Sequence, residues 1–237
     1  MQQYFIDKKL NVNESVELRN DIIYHLTKVL RSTNTVFRLA DTEGNIFLCE
    51  LDGNNAFVKE KLEENNELNV DVTVILSLYK QDKFELTLQK LTELGVKRIV
   101  PYNAYRSVVK ETKAEKKLDR YKKILTEAAE QSHRNFVPEI VSAINIKEVE
   151  KYKSELNLIA YEKEETSNTS SFKAKSITYV IGPEGGFDLE ELDKFKEMGF
   201  KSISLGKRIL RAETAAMFLS SAIVKDNELW KHLPLCH

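Results

Sequence analysis

A glycine-rich loop, Gly182-Pro-Glu-Gly-Gly-Phe-Asp188, contains the residues best suited to chemistry. It follows an apolar run typical of a strand and precedes a segment typical of a helix. Three glycines leave backbone N–H and C=O groups open to close approach by a ligand. Asp188 and Glu191 have the spacing of a capping box, which predicts the start of a helix. Open parallel α/β sheets bind ligands at the carboxyl ends of their strands, so we predict a binding loop here.

A second loop, residues 205–215, reads Leu-Gly-Lys-Arg-Ile-Leu-Arg-Ala-Glu-Thr-Ala and also joins a predicted strand to a predicted helix. Arg208 and Arg211 flank Ile209 and Leu210, an order that a plain amphipathic helix does not explain. The apolar pair can wall a nucleobase pocket, and an arginine can bind phosphate or stabilise developing negative charge. Each loop alone is also compatible with an ordinary turn, and neither has Rossmann or Walker spacing. Together, one strand–helix unit apart, they predict a single shared pocket.

Strand-type runs alternate with helix-type segments from residue 72 onward, which predicts a parallel α/β sheet. Gly95 follows the first of these helices, at the C′ position that favours glycine. The predicted strands are 72–78, 98–100, 156–161, 177–181 and 202–205. Four helices are predicted: one that ends at Leu94, one at 115–132, one at 189–198, and one that begins at about Ala212.

The first 70 residues follow a different pattern, with short β-type runs at 36–39, 45–51 and 56–62 between turn signals. One helix is predicted, from Asp21 to about Arg31, by apolar positions at helical spacing. This pattern predicts a small barrel. The acidic stretch Glu60–Glu67 is interpreted as a surface connection at a domain boundary. We therefore expect two domains, residues 1–70 and 71–237.

The charge of the chain is unevenly distributed. The net charge is −1, which argues against indiscriminate nucleic-acid binding. Residues 97–134 nevertheless carry 11 basic against 5 acidic side chains, while residues 1–70 carry 8 against 12. A local basic surface is what phosphate binding requires, although a lysine-rich helix is also commonly just a solvated face.

Cysteine content and hydropathy exclude several classes of protein. Cys49 and Cys236 are the only cysteines, so neither a disulfide framework nor a multi-cysteine metal site is available, and no metal is expected. No apolar run approaches the roughly 20 residues of a membrane helix. The amino terminus becomes charged too soon for a signal peptide. A cytoplasmic location and no membrane partner are the expectation.

The two loops together resemble the paired signature of the ribosomal RNA small subunit methyltransferase E family. Three further segments agree with that family in order and character: His25–Arg31, Gln89–Val96, and Glu127–Arg134 with Pro138. The resemblance covers nearly the whole chain. One departure is Gln2-Gln3 before Tyr4-Phe5, where the family usually has an arginine. If that arginine contacts RNA, this chain must make the contact elsewhere.

The resemblance implies a fold, a cofactor and partners. The expected fold is an N-terminal PUA-like β-barrel followed by a knotted parallel α/β domain of the SPOUT class, with a C-terminal trefoil knot. The expected reaction is S-adenosylmethionine (SAM)-dependent methylation of N3 of one uridine, expected to be U1498, in 16S ribosomal RNA of the small ribosomal subunit. The family is dimeric, so a homodimer is expected. By the same resemblance, the cofactor pocket is lined by Gly182, Glu184, Gly185, Gly186, Leu205, Gly206, Ile209, Leu210, Thr214 and Ala215.

Methylation at N3 requires removal of a proton, because protonated N3 is a poor nucleophile. The candidate for charge stabilisation is Arg211, and the candidates for proton acceptance are Glu213 and Glu184. Glu213 can equally be an ion-pair partner that holds an arginine in place. His25 and His133 could act as bases, although RNA contact or a structural role suits them better. The candidate RNA-phosphate contacts are Arg31, Lys90, Arg106, Lys110, Arg120 and Arg134.

Three alternatives remain open. The first is a SPOUT methyltransferase with another target, such as ribose 2′-O. The second is a non-catalytic RNA-binding assembly factor, which two intact loops disfavour. The third is a nucleotide-phosphate protein, against which the missing P-loop lysine and hydroxyl residue count.

Overall fold

The computed structural model describes residues 1–29, 36–110, 115–164 and 171–228. The chain divides into two compact units. The first contains Met1–Glu67 and Ala129–Phe136, and the second contains Leu68–Ala128 and Val137–His237. The sequence predicted a division at residue 70 and did not predict that a later segment belongs to the first unit.

The first unit is built on a five-stranded sheet in the order β1-β3-β4-β5-β2. β1 pairs with β3 in parallel, and the other neighbours are antiparallel. The runs predicted at 36–39, 45–51 and 56–62 form β3, β4 and β5. The two outer strands were not predicted, because three-residue strands are too short to show alternation. The strands are β1 Gln3–Phe5, β2 Ser15–Glu17, β3 Val36–Ala40, β4 Ile46–Asp52 and β5 Asn55–Leu62.

A short helix packs against the core of this unit. α1 spans Asn20–Tyr24 and continues as a π-helical turn, His25–Val29. Ile22 and Leu26 are fully buried, as the apolar spacing predicts. The end of the predicted helix, including Arg31, lies outside the described residues.

The acidic stretch has a structural role that its interpretation as a surface connection missed. The Glu67 carboxylate pairs with Arg134 and accepts hydrogen bonds from the Asn135 N–H at 2.9 Å and the Phe136 N–H at 3.2 Å. Arg134 is only 3% exposed. This burial corrects the prediction of Arg134 as an RNA-phosphate contact, because its guanidinium is enclosed with a carboxylate.

Gln3 is also part of this buried polar network. Its side chain is 1% exposed, and its amide donates a hydrogen bond of 2.7 Å to the Arg134 carbonyl. Gln3 therefore ties residues 129–136 to β1 within the first unit.

The second unit is built on a six-stranded sheet, entirely parallel, in the order β11-β9-β10-β6-β7-β8. This confirms the predicted parallel α/β sheet. The two-residue strand β8 and a 3-10 helix, Ile146–Tyr152, were not predicted. The strands are β6 Asp71–Ser77, β7 Arg98–Tyr102, β8 Glu139–Ile140, β9 Leu156–Ala160, β10 Ser176–Ile181 and β11 Lys201–Ile203. The helices that follow in the chain are α2 Gln81–Glu93, α3 Glu115–Gln131, α4 Leu189–Glu197 and α5 Ala212–Asn227.

The central strands are mostly apolar because both faces of the sheet are covered. In β6, Val72, Val74 and Leu76 belong to one core cluster, while Ile75 faces a second cluster. In β10, Tyr179 and Val180 divide between the same two cores. Apolar cores therefore cover both faces of β10 and its neighbours, and the loops at their carboxyl ends start from a packed sheet.

A candidate cofactor cavity at the carboxyl ends of the strands

A cavity of about 690 Å³ lies in the second unit, at the carboxyl ends of β9 and β10 and beside the loop after β11. Both glycine loops contribute to its wall, as the sequence predicted. The lining residues are Lys83, Ala160, Tyr161, Glu162, Ile181, Gly182, Pro183, Glu184, Gly185, Gly186, Phe187, Leu205, Gly206, Arg208, Ile209, Leu210, Arg211, Ala212 and Ala215.

The first loop needs glycine at two positions for different reasons. A Cβ at Gly182 would lie 2.8 Å from the Phe187 ring, which leaves no room for a side chain. Gly186 has φ +70° and donates a hydrogen bond of 2.9 Å to the Pro183 carbonyl. This is a tight turn in the left-handed region, where side chains other than glycine are strained. The loop therefore presents backbone, rather than side chains, to this part of the cavity.

The second loop turns at Gly206, which has φ +108°. The apolar pair in this loop divides between two environments. Ile209 is 86% exposed, whereas Leu210 is partly buried and packs against the core of the unit. Ile209 is thus not a core residue, and its exposed side chain beside the cavity suits ligand contact.

Nine of the ten residues assigned to the cofactor by resemblance line this cavity. The tenth, Thr214, lies in the first turn of α5 with its side chain exposed and is not part of the lining. The neighbouring Ala215 is buried and does line the cavity, because consecutive helical residues point in different directions.

The three candidate catalytic residues also differ in position. Arg211 and Glu184 line the cavity, whereas Glu213 lies behind the wall with a side chain 14% exposed. The Nζ atom of Lys83, on α2, is 3.3 Å from Oε1 of Glu184 and 3.3 Å from Oε1 of Glu213. Glu213 is therefore an ion-pair partner, as the alternative interpretation proposed, but of a lysine rather than an arginine.

A buried tyrosine lies close to this cluster. The Tyr79 hydroxyl donates a hydrogen bond of 2.7 Å to Thr87 Oγ1. Burial raises the pKa of Tyr79; the hydrogen bond to Thr87 opposes that shift, and the negative charges of Glu213 and Glu184 add to it. Tyr79 therefore lies within the electrostatic influence of both glutamates.

The predicted capping box at the start of α4 forms only in part. The Asp188 side chain accepts a hydrogen bond of 3.0 Å from the Glu190 N–H, as an N-cap residue does. Glu191 does not reach back to Asp188. Its fully buried carboxylate accepts hydrogen bonds from the Tyr102 hydroxyl and the Tyr105 N–H instead. This ties the loop after β7 to the end of the first glycine loop.

Several cavity residues were not predicted from the sequence. Lys83 belongs to a different strand–helix unit, and Tyr161 and Glu162 follow β9 in a segment without glycine or other special signal. Tyr161 was predicted only as the end of a strand. The carboxyl end of a strand next to β10 was the available clue, because neighbouring parallel strands end at the same edge of the sheet.

Two predicted RNA contacts follow β7. Arg106 is exposed and pairs with Asp188 at 3.1 Å, and Lys110 is exposed. The Arg106 carbonyl would lie 3.6 Å from a Cβ at Gly185, so this loop packs against the first glycine loop. If the Arg106 or Lys110 side chain binds RNA phosphate, that contact lies adjacent to the cavity.

Two further predicted contacts are surface ion pairs. Arg120 makes two hydrogen bonds to Glu85, of 2.6 and 2.8 Å, and this guanidinium lowers the pKa of the Glu85 carboxyl. Lys90 pairs with Glu93 at 2.8 Å. Surface ion pairs are weak, so the exposed Arg120 can exchange a carboxylate for a phosphate, whereas Lys90 and Glu93 are half-buried.

The two histidines considered as bases belong to the first unit. His25 Nδ1 lies 2.6 Å from the Tyr4 hydroxyl, and His133 Nε2 lies 3.0 Å from the Met1 carbonyl. Neither lines the cavity. Among the described residues, no group of three or more His, Cys, Asp or Glu side chains could hold a metal ion, and no described helix is long and apolar enough to cross a membrane.

Comparison with known proteins places the chain in a family. Residues 66–224 match the model of an RNA methyltransferase domain. The ribosomal RNA small subunit methyltransferase E of Mesomycoplasma hyopneumoniae is 35% identical over 231 residues, which cover 95% of this chain and 100% of the relative. The Bacillus subtilis enzyme of the same name is 34% identical, covering 97% and 98%.

A solved structure agrees in fold as well. The Neisseria gonorrhoeae ribosomal RNA small subunit methyltransferase E, crystallised with SAM, superposes with a TM-score of 0.87 at 30% identity. The match covers 95% of this chain and 97% of that one. SAM, the cofactor expected from the sequence, is thus the ligand of a similar protein. The chain belongs to the ribosomal RNA small subunit methyltransferase E family.

Proposed function

We propose that the protein transfers a methyl group from SAM to N3 of a uridine, U1498, in 16S ribosomal RNA of the small ribosomal subunit. The observation that carries this proposal is the cavity itself, which both glycine loops build at the carboxyl ends of parallel strands. The family membership of the whole chain supports the ribosomal RNA target.

The cavity fits SAM in size and in chemistry. A volume of about 690 Å³ is in the usual range for small-ligand pockets. Open backbone at Gly182–Gly186 suits hydrogen bonds to a purine or ribose, and Ile209 and Leu210 provide apolar contact. Arg208 can pair with a carboxylate. Glu162 and Glu184 suit a cationic ligand, and SAM carries both an ammonium and a sulfonium.

SAM supplies an electrophilic methyl group when it is bound. The protein must hold uracil N3 in line with that methyl group and remove the N3 proton. Arg211, at the cavity wall, is placed to stabilise negative charge that develops on the uracil. Of the two candidate proton acceptors, Glu184 lines the cavity, whereas Glu213 lies behind its wall and pairs with Lys83.

We assign RNA binding to basic side chains on the second unit and to the first unit as a whole. The proposed phosphate contacts are Arg106 and Lys110 beside the first glycine loop, and Lys90 and Arg120. Arg31 completes the proposal but lies outside the described residues. The first unit, as a PUA-like barrel, would broaden RNA recognition, since the reactive base must also be presented out of its stack.

The remaining expectations belong to the same proposal. They are a trefoil knot in the second unit, a homodimer and a cytoplasmic location. Membership of the family supports each of them.

Two measurements test the function. Calorimetric titration should detect SAM binding, and no binding at millimolar SAM would exclude every methyltransferase hypothesis. Mass spectrometry of 16S ribosomal RNA from a deletion strain should show loss of N3-methyluridine. Persistence of that nucleoside, with loss of a ribose 2′-O-methyl group instead, would favour the alternative target. Loss of neither, with impaired subunit assembly, would favour an assembly factor.

A further inference from the structure

Lys83 connects the two glycine loops from a third element. Glu184 belongs to the first loop, and Glu213 belongs to the part of the second loop segment that forms the first turn of α5. The Lys83 ammonium is 3.3 Å from a carboxylate oxygen of each. The side chain of Lys83 is 28% exposed and lines the cavity. This cluster of three residues is called the Lys83 triad below.

The charges of the triad do not balance. One ammonium between two carboxylates leaves a net charge of −1 when all three groups are ionised. Such a cluster becomes neutral when one carboxylate takes up a proton, and the other carboxylate can remain paired with the lysine. A single lysine–glutamate pair that takes up a proton loses its ion pair. The pKa of the nearby Tyr79, raised by burial and further by the charges of both glutamates, is consistent with excess negative charge at this point.

The two carboxylates are not equivalent. The Glu184 side chain is 47% exposed and lines the cavity. The Glu213 side chain is 14% exposed, and its Oε2 atom is buried without a hydrogen-bond partner among the described residues. A substrate in the cavity can therefore reach Glu184, whereas Glu213 is enclosed and can act only through Lys83.

We infer that Lys83 is a positioning residue that, held by the fixed counter-charge of Glu213, orients Glu184 as the acceptor of the uracil N3 proton. This inference rests on the proposed function. In the step, the N3–H bond breaks and its proton passes to the Glu184 carboxylate, which takes the triad from −1 to neutral. The electron pair left on N3 forms the bond to the methyl carbon. The bond from that carbon to sulfur breaks, with its electron pair remaining on sulfur.

Single substitutions of Lys83 test the positioning role. Lys83→Met removes the ammonium that holds the Glu184 carboxylate in place and leaves two carboxylates without their counter-charge. We expect kcat to fall about tenfold or more while SAM affinity stays within about threefold. Lys83→Arg keeps the charge and should retain most of the native kcat. Lys151→Met, which removes an exposed lysine of the second unit outside the cavity, is the control and should leave kcat unchanged.

Double substitutions separate charge balance from a merely structural role. Lys83→Met with Glu213→Gln restores a net charge of −1 with Glu184 intact, so kcat should recover by about fivefold or more over Lys83→Met. Lys83→Met with Glu184→Gln also has a net charge of −1 but lacks the acceptor, so kcat should not recover. The thermal midpoint of each variant should be measured in parallel. If Lys83→Met is unfolded, Lys83→Gln takes its place in both comparisons.

The outcomes distinguish the inference from the proposed function. If the native protein neither binds SAM by calorimetry nor methylates ribosomal RNA, the proposed function fails. If the native protein is active and Lys83→Met is equally active, the inference alone is overturned. It is also overturned if the two double variants are equally slow, since the identity of the remaining carboxylate would then not matter.

Discussion

The Tyr102 hydroxyl donates a hydrogen bond of 2.5 Å to Oε1 of Glu191, which lies 89 residues further along the chain. The same oxygen accepts the Tyr105 N–H at 3.0 Å. Burial raises the pKa of Tyr102, and its hydrogen bond to Glu191 raises it further, so the hydroxyl stays protonated as a donor. One buried carboxylate therefore joins the carboxyl end of β7 to the start of α4.

Glu191→Ala should destabilise the second unit, because it leaves a buried hydroxyl and a backbone N–H without an acceptor. We expect the free energy of unfolding to fall by about 2–4 kcal/mol, measured by urea denaturation. Glu190→Ala, at the adjacent exposed position, should change it by less than about 0.5 kcal/mol. Equal effects of the two substitutions would contradict the structural role of Glu191.

Gly186→Ala should impair cofactor binding. Gly186 has φ +70°, and an added Cβ would lie 3.1 Å from Glu162 Oε1 at the cavity. We expect SAM affinity to fall about tenfold or more by calorimetry, or about 1.4 kcal/mol. Gly53→Ala is the matched control, because Gly53 has a similar φ of +61° with nothing within 4 Å. An equal loss of affinity in both variants would mean that global stability, rather than the cavity, is responsible.

Arg211→Ala should separate binding from turnover. If Arg211 stabilises charge on the uracil, SAM affinity stays within a few-fold while kcat falls at least about tenfold, or about 1.4 kcal/mol. Single-turnover kinetics with saturating SAM measure the effect directly. An unchanged kcat would assign Arg211 to a structural role.

Arg120→Ala and Arg134→Ala should affect different properties. Arg120, exposed and paired with Glu85, should contribute to RNA affinity, so its removal weakens binding and lowers the salt-dependence slope by about one. Arg134→Ala leaves the Glu67 carboxylate partly buried without its cation and should cost about 3–5 kcal/mol of stability by urea denaturation. Loss of RNA affinity in Arg134→Ala without loss of stability would restore the RNA-contact prediction.

Cys49 should be inert in the native protein. Burial raises the pKa of the Cys49 thiol to about 12, and the reactive thiolate is therefore scarce at pH 8. Peptide mapping after iodoacetamide treatment should show Cys49 unmodified until urea is added. Rapid modification of Cys49 under native conditions would contradict its burial in the core of the first unit.

Local patterns predicted the parts of the structure that local physics determines. Alternation at 36–62 and continuous apolar runs at 72–78 and 177–181 predicted strands, and Gly95 takes φ +80° after α2 as its C′ position requires. The two glycine loops were predicted to share a pocket because both follow strands of one parallel sheet, and the cavity confirms this.

The missed features depend on contacts between distant segments. Nothing local to Lys83 indicates that its ammonium meets Glu184 and Glu213, since α2 and α5 come together only when the sheet is complete. Glu191 has the spacing of a capping box. Its carboxylate nevertheless accepts a hydrogen bond from the buried Tyr102 hydroxyl, which comes close only in the folded sheet, instead of the capping hydrogen bond. Arg134 and Gln3 likewise have residue types typical of the surface. Both are buried in the structure, where Arg134 pairs with Glu67 and the Gln3 amide donates to the Arg134 carbonyl.

The first unit contains a segment from later in the chain, and this constrains when the unit can fold during synthesis. Its buried network includes residues 129–136, so Glu67 and Gln3 leave the ribosome well before their partners exist. At the roughly 5–20 residues per second of translation, this unit waits several seconds with those polar groups unpaired. The amino-terminal unit therefore cannot complete its folding first, and a chain stalled before residue 136 would expose it to chaperones and proteases.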